Sequence, residues 1–142
     1  MKKIILYVIY GICAGICVFG IFKLIEYRTN MPYQEEFSEV IVESPQMNSR
    51  IQSPMVVRGK AKGYWFFEAS FPIILENKHG DIIASGIAQA GGEWMTEQYV
   101  PFSSELIFPK QKSGEGGLLI FKKDNPSGLP EHDASVSIPI TF

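Results

Sequence analysis

Residues 135–142 read SVSIPITF, and in this stretch polar and apolar side chains alternate. The even-numbered positions are all apolar, so in an extended strand they would share one face while the residues between them share the other. Such alternation is typical of an antiparallel strand with one buried and one solvated face. Because Pro139 lacks an amide donor, we expect its position on this strand to be unpaired or at an edge of the sheet.

Stretches of the same kind recur from residue 39 onward. They are short, rich in β-branched and aromatic residues, and separated by Gly, Pro, Asn and Ser, and none shows sustained helical periodicity. The segment NKHGD at 77–81 predicts a hairpin turn, in which Gly80 supplies positive φ. We therefore predict an all-β domain. Its seven strands would occupy residues 40–43, 55–60, 71–76, 82–89, 100–108, 117–122 and 135–141, and an eighth could occupy 65–68.

Seven short antiparallel strands in about 100 residues are typical of an immunoglobulin-like β-sandwich. The domain predicted at 39–142 has no cysteine, because Cys13 and Cys17 are the only two in the chain. It therefore has neither an internal disulfide nor a cysteine zinc site, and packing alone must stabilise it.

The amino-terminal segment predicts a single transmembrane helix. Residues 4–22 (IILYVIYGICAGICVFGIF) carry no charge, and nineteen helical residues span about 28 Å, close to the thickness of a bilayer core. No small-x-small cleavage site follows, so we interpret residues 1–25 as an uncleaved signal-anchor. Residues 26–38 are polar, contain a proline and read as a tether.

The charge distribution places the domain outside the cytoplasm. Lys2, Lys3 and the amino terminus precede the span, against Lys23 and Arg28 offset by Glu26 after it, which favours an inside amino terminus. Residues 31–142 hold 9 Lys+Arg against 14 Asp+Glu, and this net charge of −5 after a basic start fits export of the domain. We therefore expect a single-pass protein of the bacterial cytoplasmic membrane with its carboxyl-terminal domain extracytoplasmic. The whole chain has net charge −2 and lacks the basic surface of a nucleic-acid binder, so no nucleic-acid partner is expected.

Several motifs resemble one family. They are VIVESP at 40–45, SPMVVRGKA at 53–61, WFFEASFP at 65–72, GEWMT at 92–96, PF at 101–102 and KDNPSGLPEHD at 123–133. In this order they are similar to the bacterial spore-germination immunoglobulin-like domain, also called the GerM-associated domain. The resemblance implies an extracytoplasmic immunoglobulin-like sandwich with no established catalytic residue. Because no second envelope domain accompanies it in this sequence, a role in germination itself does not follow from the name.

The loop at 123–133 concentrates polar residues. Asp124, Asn125, Glu131, His132 and Asp133 would offer oxygen ligands to a hard cation, although their spacing is unlike that of an EF-hand. Alternatively these side chains cap turns around the two prolines, or form a binding surface. We favour turn capping, and we expect no metal.

Glu68 lies within an aromatic stretch, so a regular strand would place its carboxylate beside buried rings. It would then pair with Lys122 or Lys123, or with a backbone amide. A general acid would need a second carboxylate, for which Glu93 and Asp124 are the candidates.

Trp65 and Trp94, with Tyr64 and Tyr99, would form either an aromatic platform for sugars or peptides, or part of the core, and for the two tryptophans we favour the core. The sequence contains no nucleophile elbow, P-loop, dinucleotide fingerprint or HExxH motif, and no cofactor is expected. We therefore predict a non-enzymatic envelope module that binds a protein, with peptidoglycan binding as the alternative and a carboxylate-dependent hydrolase as a remote one. The candidate surface comprises Trp65, Glu68, Trp94, Asp124, Asn125, Glu131, His132 and Asp133.

Overall fold

A computed structural model describes residues 38–142, and the predicted signal-anchor at 1–25 and nearly all of the tether lie outside them. Within residues 38–142 no helix is long and apolar enough to cross a membrane. All seven predicted strands are present in this part of the chain, with ends that shift by at most two residues. The strands are β1 (Val40–Ser44), β2 (Met55–Lys62), β3 (Ser70–Asn77), β4 (Ile82–Ala90), β5 (Tyr99–Leu106), β6 (Gly116–Lys122) and β7 (Ser135–Thr141).

The strands pair antiparallel in the order β1-β2-β5-β4-β3-β6-β7. Phe102 on β5 and Phe121 on β6 are three strands apart in this order, which would separate them by about 14 Å in a flat sheet. Their ring centroids are only 5.8 Å apart. The sheet therefore folds back on itself into two layers, β1-β2-β5 and β4-β3-β6-β7, joined where β4 pairs with β5 at Gln89 and Ala90. This arrangement is consistent with an immunoglobulin-like sandwich.

The core lies between the layers and contains a cluster of aromatic rings in contact. On β3 the inward residues Phe71, Ile73 and Leu75 are fully buried, and the residues between them face outward. The Phe71 ring makes edge-to-face contacts with Phe66 and Phe102, each at a centroid distance of 5.0 Å. The contact with Phe102 connects opposite layers, so the alternation that predicted the strands also builds the core.

The predicted eighth strand is wrong. Gly63–Trp65 form one turn of 3-10 helix, and a two-residue turn follows, in which Phe67 and Ser70 exchange backbone hydrogen bonds. The segment connects the two layers, so its backbone must change direction where a strand would continue straight.

Two local predictions are confirmed. In the hairpin turn at 77–81, Gly80 has φ +82°, and the Asn77 side chain accepts hydrogen bonds from the backbone amides of His79 and Asp81. β7 is the last strand of the sheet order, and the Pro139 carbonyl on it accepts a hydrogen bond from the Asn48 amide.

Candidate binding site at the loop end

Three loops and the start of the domain lie at one end of the sandwich. The β1–β2 register brings Val40 opposite Ala61, and Lys62 at the end of β2 lies opposite Tyr99 at the start of β5. The loops 63–69, 91–98 and 123–134 meet there. The Asp124 amide donates to the Trp65 carbonyl, and the Gly63 amide donates to the Gln98 carbonyl, so the loop 63–69 is bonded to each of the other two. We call this region, residues 38–39 with the three loops, the loop end. All eight residues of the predicted candidate surface lie in it.

The first described residues are held by side chains of the loop end. The Glu39 carboxylate accepts hydrogen bonds from the Tyr64 hydroxyl and from Trp65 Nε1, each at 2.8 Å. The Tyr99 hydroxyl donates to the Ser38 carbonyl at 2.6 Å. Partial burial, and then the Glu39 carboxylate, raise the pKa of Tyr64 to about 12, so this hydroxyl remains a donor at every physiological pH.

The two tryptophans have different environments. Trp65 is only 1% exposed and its ring packs edge-on against Phe71, at a centroid distance of 6.0 Å. Its assignment to the candidate surface is therefore wrong, because the indole is part of the core and its N–H is satisfied by Glu39. Trp94 is half-buried and packs against the core from the 91–98 loop. An aromatic platform containing both indoles does not form.

Glu68 is also placed differently from the prediction. It is exposed, and together with Ala69 it forms the tight turn between Phe67 and Ser70, with φ values of +50° and +63°. The strand periodicity that put its carboxylate among buried rings breaks at this turn. The prediction of a buried, lysine-paired Glu68 is therefore wrong.

The loop 123–134 is organised around Asn125. The Asn125 side-chain amide donates to the Leu129 carbonyl at 2.8 Å and to the Asp133 carboxylate at 2.7 Å. Its side-chain oxygen accepts from the Ser127 hydroxyl, and its carbonyl accepts from the amide of Gly128, which has φ +66°. These bonds support the interpretation that the polar residues cap turns.

The remaining polar residues of this loop have separate positions. Glu131 and His132 are exposed on a 3-10 turn, Pro130–His132, whereas Asp124 is half-buried. In the described range 38–142, no three His, Cys, Asp or Glu side chains come close enough together to hold a metal ion.

The structure adds exposed apolar side chains that the candidate surface omitted. Phe67 is 43%, Met95 74% and Leu129 48% exposed, and each belongs to a different loop of the loop end. The sequence feature that could have identified them is a large apolar residue inside a loop that is otherwise rich in Gly, Pro and polar residues. Cations border this surface, since Lys62 Nζ lies 4.0 Å from the Tyr99 ring centroid and Lys123 Nζ 5.5 Å from that of Tyr64.

The two-layer antiparallel fold, with its loops gathered at one end, defines a module of the immunoglobulin-like class. The family model for the immunoglobulin-like domain of bacterial spore germination matches residues 39–128, and the chain belongs to this family. The resemblance seen in the sequence motifs is thereby confirmed. No curated protein and no solved structure matches the chain.

Proposed function

We propose that this protein is a non-catalytic, membrane-anchored immunoglobulin-like module of the bacterial cell envelope. In this proposal its loop end binds an envelope protein, and the description of the family, an immunoglobulin-like domain of bacterial spore germination, suggests germination as the process. The observation that carries the proposal is the set of exposed apolar side chains Phe67, Met95 and Leu129, one on each loop of the same end. Aromatic residues and methionine are enriched in protein interfaces, where they form the buried centre of a patch with a polar rim.

A protein partner suits this surface better than a sugar does. Stacking on a sugar ring needs an exposed, flat aromatic ring, but Trp65 is in the core, Trp94 is half-buried and the exposed Tyr64 is already hydrogen-bonded to Glu39. The exposed side chains are a phenyl ring, a thioether and a branched aliphatic group, which pack well in a protein interface. Hydrogen bonds between the loops fix the backbone that carries these side chains, which limits the conformational entropy lost on binding.

Site-specific photocrosslinking in intact cells tests the partner. A photoreactive amino acid replaces Met95, at the loop end, or Ile107, which is 75% exposed and lies at the opposite end of the sandwich. We expect a discrete adduct from position 95 and none from position 107. Equal adducts from both positions, or none from position 95, would contradict binding by the loop end.

The anchoring is supported by the charge-free stretch 4–22, and the orientation by Lys2 and Lys3 before it. We expect the full chain to stay with membranes after alkaline carbonate extraction, and its domain to be digested by protease added to intact protoplasts. Release by carbonate, or protection from the protease, would refute this topology.

Peptidoglycan binding is the second candidate, and the partial exposure of Trp94 favours it. In co-sedimentation of the full chain with isolated peptidoglycan, this function predicts saturable binding that is lost in Trp94→Ala but retained in Phe67→Ala. If the folded protein does not bind peptidoglycan, this second candidate is excluded and the protein partner remains as the proposed ligand. The hydrolase alternative gains no support, because its central carboxylate, Glu68, is exposed on a turn.

A further inference from the structure

The outward faces of the two layers differ in chemistry. On β2 and β5 the outward positions include Arg58, Lys60, Lys62 and Glu105, as expected of a surface that only meets water. On β4, β3, β6 and β7 only two outward residues, Glu76 and Lys122, are charged, and the apolar ones lie side by side. The largest apolar patch of a soluble protein is often a contact surface, so this second face is the candidate interface.

The strand register defines this second face. One row across the four strands is Ile82, Glu76, Leu118, Pro139, and the next is Ser85, Ile74, Ile120, Ser137. The third row starts with the pair Ile87 and Pro72 and ends with the pair Lys122 and Ser135. Seven of these twelve residues are apolar, and we call the twelve together the outer apolar face. Its most exposed apolar members are Ile82 (62%), Ile87 (50%) and Leu118 (40%).

We propose that a second copy of this chain packs on the outer apolar face, layer against layer. Four strands make the face roughly 19 Å wide, and five residues make it roughly 17 Å long. Two copies would remove roughly 650 Å² of surface from water, which is less than a stable specific interface buries and corresponds to a weak contact. We therefore expect a reversible, concentration-dependent dimer.

The charges of the face favour a copy of itself over an unrelated partner. Its two charged residues, Glu76 and Lys122, lie in the first and third rows, about 13 Å apart along neighbouring strands. No ion pair joins them within the described residues of one copy. When two copies face each other with their strands crossing antiparallel, Glu76 of each meets Lys122 of the other. The two-fold symmetry forms this pair twice.

Sedimentation velocity of the full chain in a mild detergent tests the dimer. Leu118→Lys introduces a charge into the middle strands of the face, and Val56→Lys introduces the same charge at a similarly exposed position (45%) on the opposite layer. We expect Leu118→Lys to raise the dimer dissociation constant at least tenfold, and Val56→Lys to leave it unchanged. A full chain that stays monomeric at 100 µM, or a dimer that survives Leu118→Lys, would overturn the proposal.

A charge exchange separates this contact from association elsewhere in the chain. Glu76→Lys alone, and Lys122→Glu alone, bring like charges together and should weaken the dimer. The double variant Glu76→Lys with Lys122→Glu should restore it, because the exchanged charges pair again across the two-fold axis. Failure of the double variant to recover would overturn the proposed geometry, and a misfolded single variant would not produce such recovery.

Discussion

Glu39 shows how one residue outside the strands controls the placement of two aromatic side chains. Trp65 can be buried only if its indole N–H finds an acceptor, and the Glu39 carboxylate is that acceptor. The same carboxylate accepts the Tyr64 hydroxyl, so the start of the domain is tied to the loop end through charge-assisted hydrogen bonds.

Replacing Glu39 tests this role. Glu39→Ala leaves the Trp65 N–H without its acceptor, so we expect the free energy of unfolding to fall by about 1–3 kcal/mol. Glu39→Gln keeps an acceptor oxygen and should cost less, and it should lower the pKa of Tyr64 below about 12 only in part, because burial, the larger cause of the raised pKa, remains. Denaturant unfolding measures the first effect. The second is measured by the phenolate absorbance of each protein minus that of its Tyr64→Phe counterpart. An unchanged stability in Glu39→Ala would contradict the assignment.

The connection between β2 and β3 shows how contacts with a neighbouring loop determine the conformation of a short element. Gly63 begins the 3-10 turn, its amide donates to the Gln98 carbonyl, and its Cα lies against the 91–98 loop. A Cβ at Gly63 would collide with the carbonyl oxygens of Trp94 and Thr96. This close approach holds the loop that carries Trp94 and Met95.

The same substitution at two glycines tests this packing. Gly63→Ala would force the 91–98 loop outward, so we expect a loss of about 1–3 kcal/mol in stability. Gly92→Ala lies on that loop with open space around its Cβ, and it should be neutral or stabilising by about 0.5 kcal/mol. Thermal unfolding of both variants provides the comparison. Equal effects would show that the loop does not depend on its contact with Gly63.

At the scale of the whole molecule, the two layers are joined mainly by packing. β4 and β5 share only two paired positions, so the aromatic contacts between the layers carry much of the cohesion. The fold also separates its two proposed surfaces, since the loop end lies at one end of the strands and the outer apolar face on one side. One copy can therefore use both surfaces together.

Phe71 tests the cohesion of the layers. Phe71→Ala removes a fully buried ring that contacts Trp65, Phe66 and Phe102, so we expect a loss of about 3–5 kcal/mol. Phe67→Ala removes the same atoms from a ring that is 43% exposed and should change stability by less than about 1 kcal/mol. Chemical denaturation measures both. Similar losses for the two variants would refute a core centred on Phe71.

The sequence by itself determined the seven strands, the turn at Asn77, the edge position of β7 and the family. These features depend on local alternation, on backbone preferences of glycine and proline, and on motif order, all of which can be seen within a few residues. Only the tertiary structure decided that Trp65 is buried, that Glu68 is exposed and that Glu39 holds the loop end. Those outcomes depend on where the chain turns between layers and on groups brought together from distant positions. The burial of one aromatic residue rather than its neighbour is therefore a property of the packed core and not of the segment that contains it.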